Sequence, residues 1–341
     1  MKPTRPNAPE RVDIHAVITD QIVAAIEGGA GEFRMPWHRQ NGSLMRPVNI
    51  ATGKAYQGIN ILALWVAAEA RGYSAPVWGT FKQWLDKGFP VRKGEKSVLG
   101  VFYKDLRFED TDEATGETSE RKVGMARAFP LFNCAQVEGY APPELTFTPT
   151  MFDPHPRVEA LLSASQATIA YGGDRAFYHP KEDRIQIPEL GRFTGTETMT
   201  PAEAFDATRL HELTHWSGAK HRLDRDFGQR FGDKAYAFEE LIAELGAAYL
   251  CAELGVTPHA RPDHAQYLAG WLGIMKEDKK AIFTAAGQAQ QAATYLMQFA
   301  PPDPGETPEG EVHPIRPTHS PQRSLGAPMT SPRLSKVKVE R

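Results

Sequence analysis

The sequence predicts an α+β protein of two domains, and three observations carry that expectation. A chain of 341 residues with 41% hydrophobic content can bury a sizeable core and is long enough for two domains of ordinary size. Its composition changes along the way: a loop-rich stretch mixing aromatic and basic residues gives way to helical runs rich in Ala and Leu, and then, from Pro301, to a Pro-rich end. Short strand-like runs lie between the helices in both of the first two stretches. These shifts set the expected boundaries: an arm at 1–10, a first domain at 11–140, a linker at 141–155, a second domain at 156–300 and a tail at 301–341.

The first domain opens with an amphipathic helix, since Ile14, Val17, Ile18, Ile22, Val23 and Ile26 fall on one face and Gly28-Gly29 ends it. From Arg34 to Arg107 there are twelve Lys or Arg against four Asp or Glu, interleaved with Trp37, Tyr56, Trp65, Tyr73, Trp78, Phe81 and Trp84. Bases track a phosphate backbone and exposed aromatics stack unpaired bases, which is the combination a single-strand binder uses. Burial in a core is the competing account of the aromatics, and for Trp65, inside an apolar helix at about 59–71, it is the better one. The candidate DNA contacts are Arg34, Trp37, Lys54, Tyr56, Lys82, Arg92, Lys93 and Lys96, the last three in the turn Val91-Arg-Lys-Gly-Glu-Lys96. Thr80 caps a short helix at 81–87, and strands at 98–103 and 126–132 flank an acidic loop at 109–117.

The second domain begins with strand-like runs at 168–171, 176–178 and 184–187, the last two joined by His179-Pro-Lys-Glu-Asp183. Thr200-Pro201-Ala-Glu203 is a capping box with Pro at the first helical position, and Ala204, Ala207, Leu210 and Leu213 follow at helical spacing. This helix carries His211-Glu-Leu-Thr-His215 and ends near Gly218. Side chains four apart lie one above the other, so His211 and His215 can grip one cation with Glu212 beside them. Such a pair, with a third protein ligand and an open position for water, is the arrangement of a catalytic Zn2+ site, and another divalent transition metal such as Mn2+ suits the same donors. Two histidines on a solvated helix face would be the plainer account, and the apolar flanks argue against it.

The helical run Tyr236-Ala-Phe-Glu-Glu-Leu-Ile-Ala-Glu-Leu-Gly-Ala-Ala-Tyr-Leu250 offers Glu239, Glu240 and Glu244 as third-ligand candidates. Glu240 and Glu244 share a face in a segment that must pack against the core, so the pair needs compensation. The spacing resembles the gluzincin metallopeptidases, in which a second helix gives a Glu ligand and, four residues later, an acid that orients a metal-bound His. That resemblance implies Glu240 as ligand and Glu244 as the orienting carboxylate. The alternative is a solvated acidic stripe, which Glu239 fits best. In zincins an edge strand also pairs with an extended peptide substrate, and Arg184, Ile185, Gln186 and Ile187 are the candidates for it, with an ordinary core hairpin equally compatible. His221 is a weaker candidate for ligand or carbonyl polariser, and Tyr236 and Tyr249 for stabilising an oxyanion. Two Ala-rich or apolar helices, 263–276 and 277–299, close the domain.

Ala55-Tyr-Gln-Gly-Ile-Asn60, Thr80-Phe-Lys-Gln83, Val91-Arg-Lys-Gly-Glu-Lys96 and Leu131-Phe-Asn-Cys-Ala-Gln136 resemble the N-terminal part of ArdC-type antirestriction proteins. Ala176-Phe-Tyr178, Asp183-Arg-Ile-Gln-Ile-Pro188, His211-Glu-Leu-Thr-His-Trp216 and Glu239-Glu-Leu-Ile-Ala-Glu-Leu-Gly246 are similar to that family's metallopeptidase part, in the same order, from about residue 11 to 299. The resemblance implies a plasmid- or phage-associated protein whose first domain binds single-stranded DNA and which protects incoming DNA from host restriction. The family's N-terminal module is also found fused to TraC-type conjugative primases. Two other functions fit the motifs. One is a protein that coats single strands and acts by occlusion, its metal site structural or vestigial; the other is a DNA-dependent protease acting on DNA–protein crosslinks. A protein substrate, whether a restriction enzyme or another DNA-bound protein, is implied only by the proteolytic readings.

A net charge of −3 places any attraction to DNA in local asymmetry rather than in the whole chain. The longest apolar run, 61–68, is too short to span a membrane, and the polar N-terminus does not read as a signal peptide, so a cytoplasmic protein without a membrane partner is expected. Cys134 and Cys251 form no metal or disulfide pattern and read as buried thiols. The tail has nine prolines in 41 residues and a basic end, a composition expected to be disordered.

Overall fold

Buried helices from both halves of the chain converge on one hydrophobic cluster. The computed structural model describes residues 13–27, 45–111, 118–142, 153–195, 199–227, 234–256 and 265–302. The expected arm, Gly28-Gly29, Arg34 and Trp37, most of the 141–155 linker and nearly all of the tail lie outside them.

Helix α1 (Ile14–Glu27) starts where the Asp13 carboxylate accepts from the amides of His15 and Ala16, and it buries Ile18, Ile22, Val23 and Ile26 as its periodicity predicts. Helix α2 (Ile59–Arg71) buries Ile61, Leu62, Leu64 and Trp65 and stops at Gly72, whose φ of +67° favours glycine. A four-stranded sheet of order β1-β2-β4-β3 joins β1 (Val48–Asn49), β2 (Val77–Gly79), β3 (Val98–Thr111) and β4 (Thr118–Asn133). Between β2 and β3, Thr80 and Gln83 form a reciprocal cap on α3 (Phe81–Asp86). The β3–β4 hairpin is much longer than the expected strands: its antiparallel ladder runs from Val98↔Leu131 to Thr111↔Thr118. Ladder bonds are made by backbone groups, so the polar residues around 104–111 extend the strands without an apolar face to announce them. Of the acidic loop expected at 109–117, Glu109, Asp110 and Thr111 belong to β3, and 112–117 lie outside the described residues.

In the second half, α4 (Pro156–Ser165) leads into β5 (Thr168–Tyr171), β6 (Phe177–His179) and β7 (Arg184–Ile187). The sheet order is β5-β7-β6, with β7 parallel to β5 and antiparallel to β6. This corrects the reading of 184–187 as an edge strand. Arg184, Ile185 and Gln186 are paired on both sides and Ile187 with Tyr171 of β5, so β7 lies inside the sheet and is not an edge strand, and Ile185 and Ile187 are buried in the core. Helices α5 (Pro201–Ser217), α6 (Lys234–Leu254), α7 (Ala265–Glu277) and α8 (Ala281–Met297) complete the fold.

The main core takes Ile18 and Ile22 of α1 and Ile61 and Trp65 of α2 together with Leu210 and Leu213 of α5, Leu241 and Leu245 of α6 and Ala285 and Ala289 of α8. The first-half helices therefore pack directly on the second-half helices, and the described residues through Pro301 belong to one compact unit. Smaller clusters around Trp78 and Trp84 support the first sheet. Cys134 and Cys251 are free, buried thiols, and burial pushes the Cys134 thiol up to about 11. No helix among the described residues is long and apolar enough to cross a membrane.

Candidate metal centre

Helix α5 starts as its sequence predicts: the Thr200 hydroxyl accepts from the Glu203 amide at 3.2 Å, and the Glu203 carboxylate accepts from the Thr200 amide at 2.8 Å. It is buried on every face, so each polar group on it needs a partner inside the protein. Asp206 accepts from the His155 amide at 2.7 Å and pairs with Arg209, whose guanidinium also meets Glu159 of α4. Thr214 Oγ1 donates to the Leu210 carbonyl at 2.8 Å, and Ser217 Oγ to that of Thr214 at 2.6 Å.

Helix α6, which carries the third candidate donor, can approach because Gly246 sits against Thr214. A Cβ at Gly246 would lie 2.6 Å from Thr214 Cγ2, closer than real Cβ contacts. The approach brings the buried carboxylates of Glu239, Glu240 and Glu244 to the histidines of α5.

Glu240 Oε2 lies 3.6 Å from His211 Nε2, and Glu240 Oε1 lies 3.6 Å from His215 Nε2. One donor atom from each of the three residues falls within 4.8 Å of the others, and all three residues are buried. The other nitrogen of each ring meets another carboxylate: His211 Nδ1 is 3.6 Å from Glu244 Oε2, and His215 Nδ1 is 3.1 Å from Glu239 Oε1. Both imidazoles therefore turn Nε2 inward and Nδ1 toward an anion, the orientation expected of metal-bound histidines. Burial opposes ionisation of Glu240, but the facing imidazole of His215, a hydrogen bond and charge from His211 and a hydrogen bond from Tyr236 outweigh it and hold the carboxyl below the ordinary range. Two imidazole nitrogens and an anionic oxygen this close together fit a divalent cation. Glu212 is 4% exposed and, three positions before His215, lies on a neighbouring part of the same helix surface.

The alternative of a solvated acidic stripe does not hold: Glu239, which fitted it best, is 2% exposed and faces His215, and α6 is buried all round and has no solvent face there. Tyr236 reaches Glu240, whereas Tyr249 is turned away from an oxyanion role, its hydroxyl donating to the Gly58 carbonyl at 3.2 Å. His221 is exposed, with Nε2 at 3.4 Å from Asp183, and is not among the three grouped donors. Asp183, in the β6–β7 turn, accepts from Tyr178 Oη at 2.8 Å and pairs with Arg222, whose guanidinium lies 3.8 Å over the Trp216 ring. That network fastens the small sheet to the C-terminal end of α5.

Two family models match the chain: the N-terminal domain of anti-restriction factor ArdC over 12–132, and a zincin-like metallopeptidase over 156–288. The crystal structure of antirestriction ArdC protein from R388 plasmid in its metal-free form is similar with a TM-score of 0.68 and 38% identity, covering 84% of this chain and 98% of that one. The chain belongs to the ArdC antirestriction family. The Mn(II)-bound structure of the same ArdC protein gives a TM-score of 0.67 at 35% identity, with the same coverage. Protein y4eC of Sinorhizobium fredii (strain NBRC 101917 / NGR234) is 45% identical over 83% of this chain and 91% of its own. DNA primase TraC of Escherichia coli is 34% identical over 84% of this chain, which spans 27% of that longer protein. The zincin-like fold and the Mn(II)-bound relative agree with the donor chemistry of His211, His215 and Glu240 in pointing to a divalent metal.

In the part that matches the ArdC N-terminal domain, the expected DNA contacts separate into two groups. Lys54, Lys82, Lys93 and Lys96 are exposed, Lys82 with a one-turn ion pair to Asp86 at 3.1 Å. Arg92 is exposed as well but also tied to the fold: it donates to the Val137 carbonyl at 3.0 Å, to Glu95 at 3.0 Å and to the Ala135 carbonyl, which fixes the direction of its guanidinium. Tyr56 is half-buried, and its hydroxyl accepts from Asn49 Nδ2 at 2.9 Å. Trp65, Trp78 and Trp84 are core residues. Among the described residues here, the large exposed apolar side chains are Phe81, Leu85 and Phe102, which composition alone did not separate from their buried neighbours.

Proposed function

We propose that this protein binds single-stranded DNA through its N-terminal region and hydrolyses peptide bonds at the centre formed by His211, His215 and Glu240, protecting incoming plasmid or phage DNA in the host cytoplasm. The catalytic half rests on the buried Glu212 beside a three-residue donor set that fits a divalent cation. When bound, Zn2+ or Mn2+ supplies Lewis acidity toward a carbonyl and makes water acidic enough to ionise near neutrality. Glu212 takes the proton from the attacking water and returns it to the leaving amine. Glu244 and Glu239 hold His211 and His215 in the orientation that presents Nε2, and Tyr236 steadies Glu240. An extended peptide adds to the edge strand β6 rather than to β7; Tyr178 of β6 packs on Phe227 with ring centroids 5.8 Å apart, and Phe227 in turn lies 6.4 Å from the His215 ring.

A second reading, coating of entering strands without hydrolysis, is favoured by the exposed Lys54, Lys93 and Lys96. Survival of DNA entering a restricting host separates the two, with wild type compared against Glu212→Gln and against a Lys54/Lys93/Lys96→Ala variant at equal expression. Loss of protection in Glu212→Gln supports hydrolysis. Full protection by Glu212→Gln together with failure of the lysine variant supports occlusion and sinks the proteolytic mechanism.

A further inference from the structure

The chain returns to the metal centre through a residue that neither the H-E-x-x-H motif nor the glutamates of α6 announce. Arg225 lies in the loop after α5, and its guanidinium folds back beneath the end of that helix. Arg225 Nη2 donates to Glu239 Oε1 at 2.8 Å and Nε donates to Glu239 Oε2 at 3.0 Å, a bidentate grip. The same guanidinium donates to Ser217 Oγ at 3.0 Å and to the Thr214 carbonyl at 2.6 Å. Its side chain is 5% exposed and that of Glu239 is 3% exposed. Gly218 leaves the space it occupies, since a Cβ there would lie 2.7 Å from Arg225 Nη2.

We propose that Arg225 is a positioning residue for the metal, acting through Glu239 on His215. A carboxylate buried next to an imidazole is costly unless paired, and its orientation is fixed only if both oxygens are engaged. Arg225 supplies both conditions: it neutralises Glu239, holds it in one plane and leaves Oε1 facing His215 Nδ1 at 3.1 Å. His215 Nε2 is thereby aimed at the place where Glu240 and His211 converge. The guanidinium also spans the two ligand-bearing helices, bonding groups of α5 on one side and Glu239 of α6 on the other. A lysine would deliver the charge but not the planar, two-point grip.

The inference rests on the metal reading of His211, His215 and Glu240 and is independent of whether peptide is cut. The test is Mn(II) and Zn(II) affinity of the full-length protein, by competition with a chromophoric chelator, alongside thermal midpoints. The variants are Arg225→Met, Arg225→Lys, Glu239→Gln, the Arg225→Met/Glu239→Gln double and His215→Ala. Arg225→Met is expected to weaken metal binding about 10–100-fold, with Arg225→Lys recovering part of the loss. The double variant is expected to bind no more weakly than the worse single one, because both changes break the same relay. If Arg225→Met does not fold, Arg225→Lys and Glu239→Gln carry the comparison, each expected below wild type in affinity. Wild-type affinity in folded Arg225 and Glu239 variants, with only the thermal midpoint lowered, would show Arg225 to be purely structural and overturn the proposal. Wild-type affinity in His215→Ala would overturn the metal reading itself, and the proposal with it.

Discussion

Tyr249 of α6 donates its hydroxyl to the carbonyl of Gly58, 191 residues earlier in the chain, at 3.2 Å. Gly58 has a φ of +55°, so the turn it makes before α2 suits glycine. Its amide donates to Gln290 Oε1 of α8 at 3.2 Å, and the preceding Tyr56 carbonyl accepts from Arg46 Nε at 3.3 Å. Arg46 in turn pairs with Glu253 of α6 and donates to Gln290 Oε1 at 3.0 Å. The loop carrying Lys54 and Tyr56 is thus pinned to α6, the helix that carries Glu240 of the candidate metal centre.

Tyr249→Phe tests the strength of that pin. The Tyr249 side chain is buried, and loss of its hydroxyl leaves the Gly58 carbonyl with the Ile61 amide, at 3.1 Å, so the variant is expected to lose about 1 kcal/mol in urea unfolding. Metal affinity should stay at the wild-type value, because Tyr249 is nine residues beyond Glu240 and does not touch it. An unchanged unfolding midpoint would remove the hydrogen bond from the account of stability.

Gly246→Ala should push α5 and α6 apart where Gly246 meets Thr214. The new methyl meets Thr214 Cγ2, and the expected cost is about 1–3 kcal/mol. Thr214→Ser removes that methyl while keeping the hydroxyl that bonds the Leu210 carbonyl, so in the double variant much of the loss should return. Strictly additive effects of the two changes in a thermal-unfolding cycle would show that the methyl is not the obstacle.

Glu212→Gln is expected to keep the fold and the bound metal, since Glu212 is not among the three grouped donors, while reducing peptide hydrolysis by about 10²–10⁴-fold. Hydrolysis of a peptide library with and without added Mn(II) or Zn(II) measures this. Wild-type turnover by the variant would move the general base elsewhere.

Local signals carried most of the centre. The cap at Thr200, the histidines four apart and the Glu240–Glu244 pair are all readable within one or two helical turns. The errors lie where distant segments meet. Glu239 reads as a surface acid until Arg225 arrives from a separate loop, and 184–187 reads as an edge until β5 is seen to pair in parallel with it. The bonds from Arg92 to the 135–137 carbonyls are equally invisible near it in sequence, because its partners lie more than forty residues away. Among the aromatics, Trp84 is buried with its Nε1 donating to the Phe132 carbonyl at 2.9 Å, whereas Phe81, three residues earlier, is 52% exposed. A helix so short shows both faces within one turn, and only the sheet beneath it decides which is covered.

His155 should give stability a pH dependence below neutrality. It stands just before α4, its amide bonded to Asp206 of α5 and its Nδ1 buried without a hydrogen-bond partner among the described residues. Burial lowers its pKa from the ordinary 6.5, and the nearby Arg157 cation lowers it further. Between that lowered value and 6.5 the unfolded chain binds a proton that the folded protein refuses, so stability rises with pH across this window and is lost as pH falls through 6.5. His155→Gln removes the titration while keeping a polar side chain of similar reach. The unfolding free energy of the variant, followed in urea from pH 7.5 down to pH 5.5 with saturating metal, should therefore fall less steeply than that of the wild type. Parallel curves would mean that the imidazole takes up its proton as readily in the folded protein as in the unfolded chain.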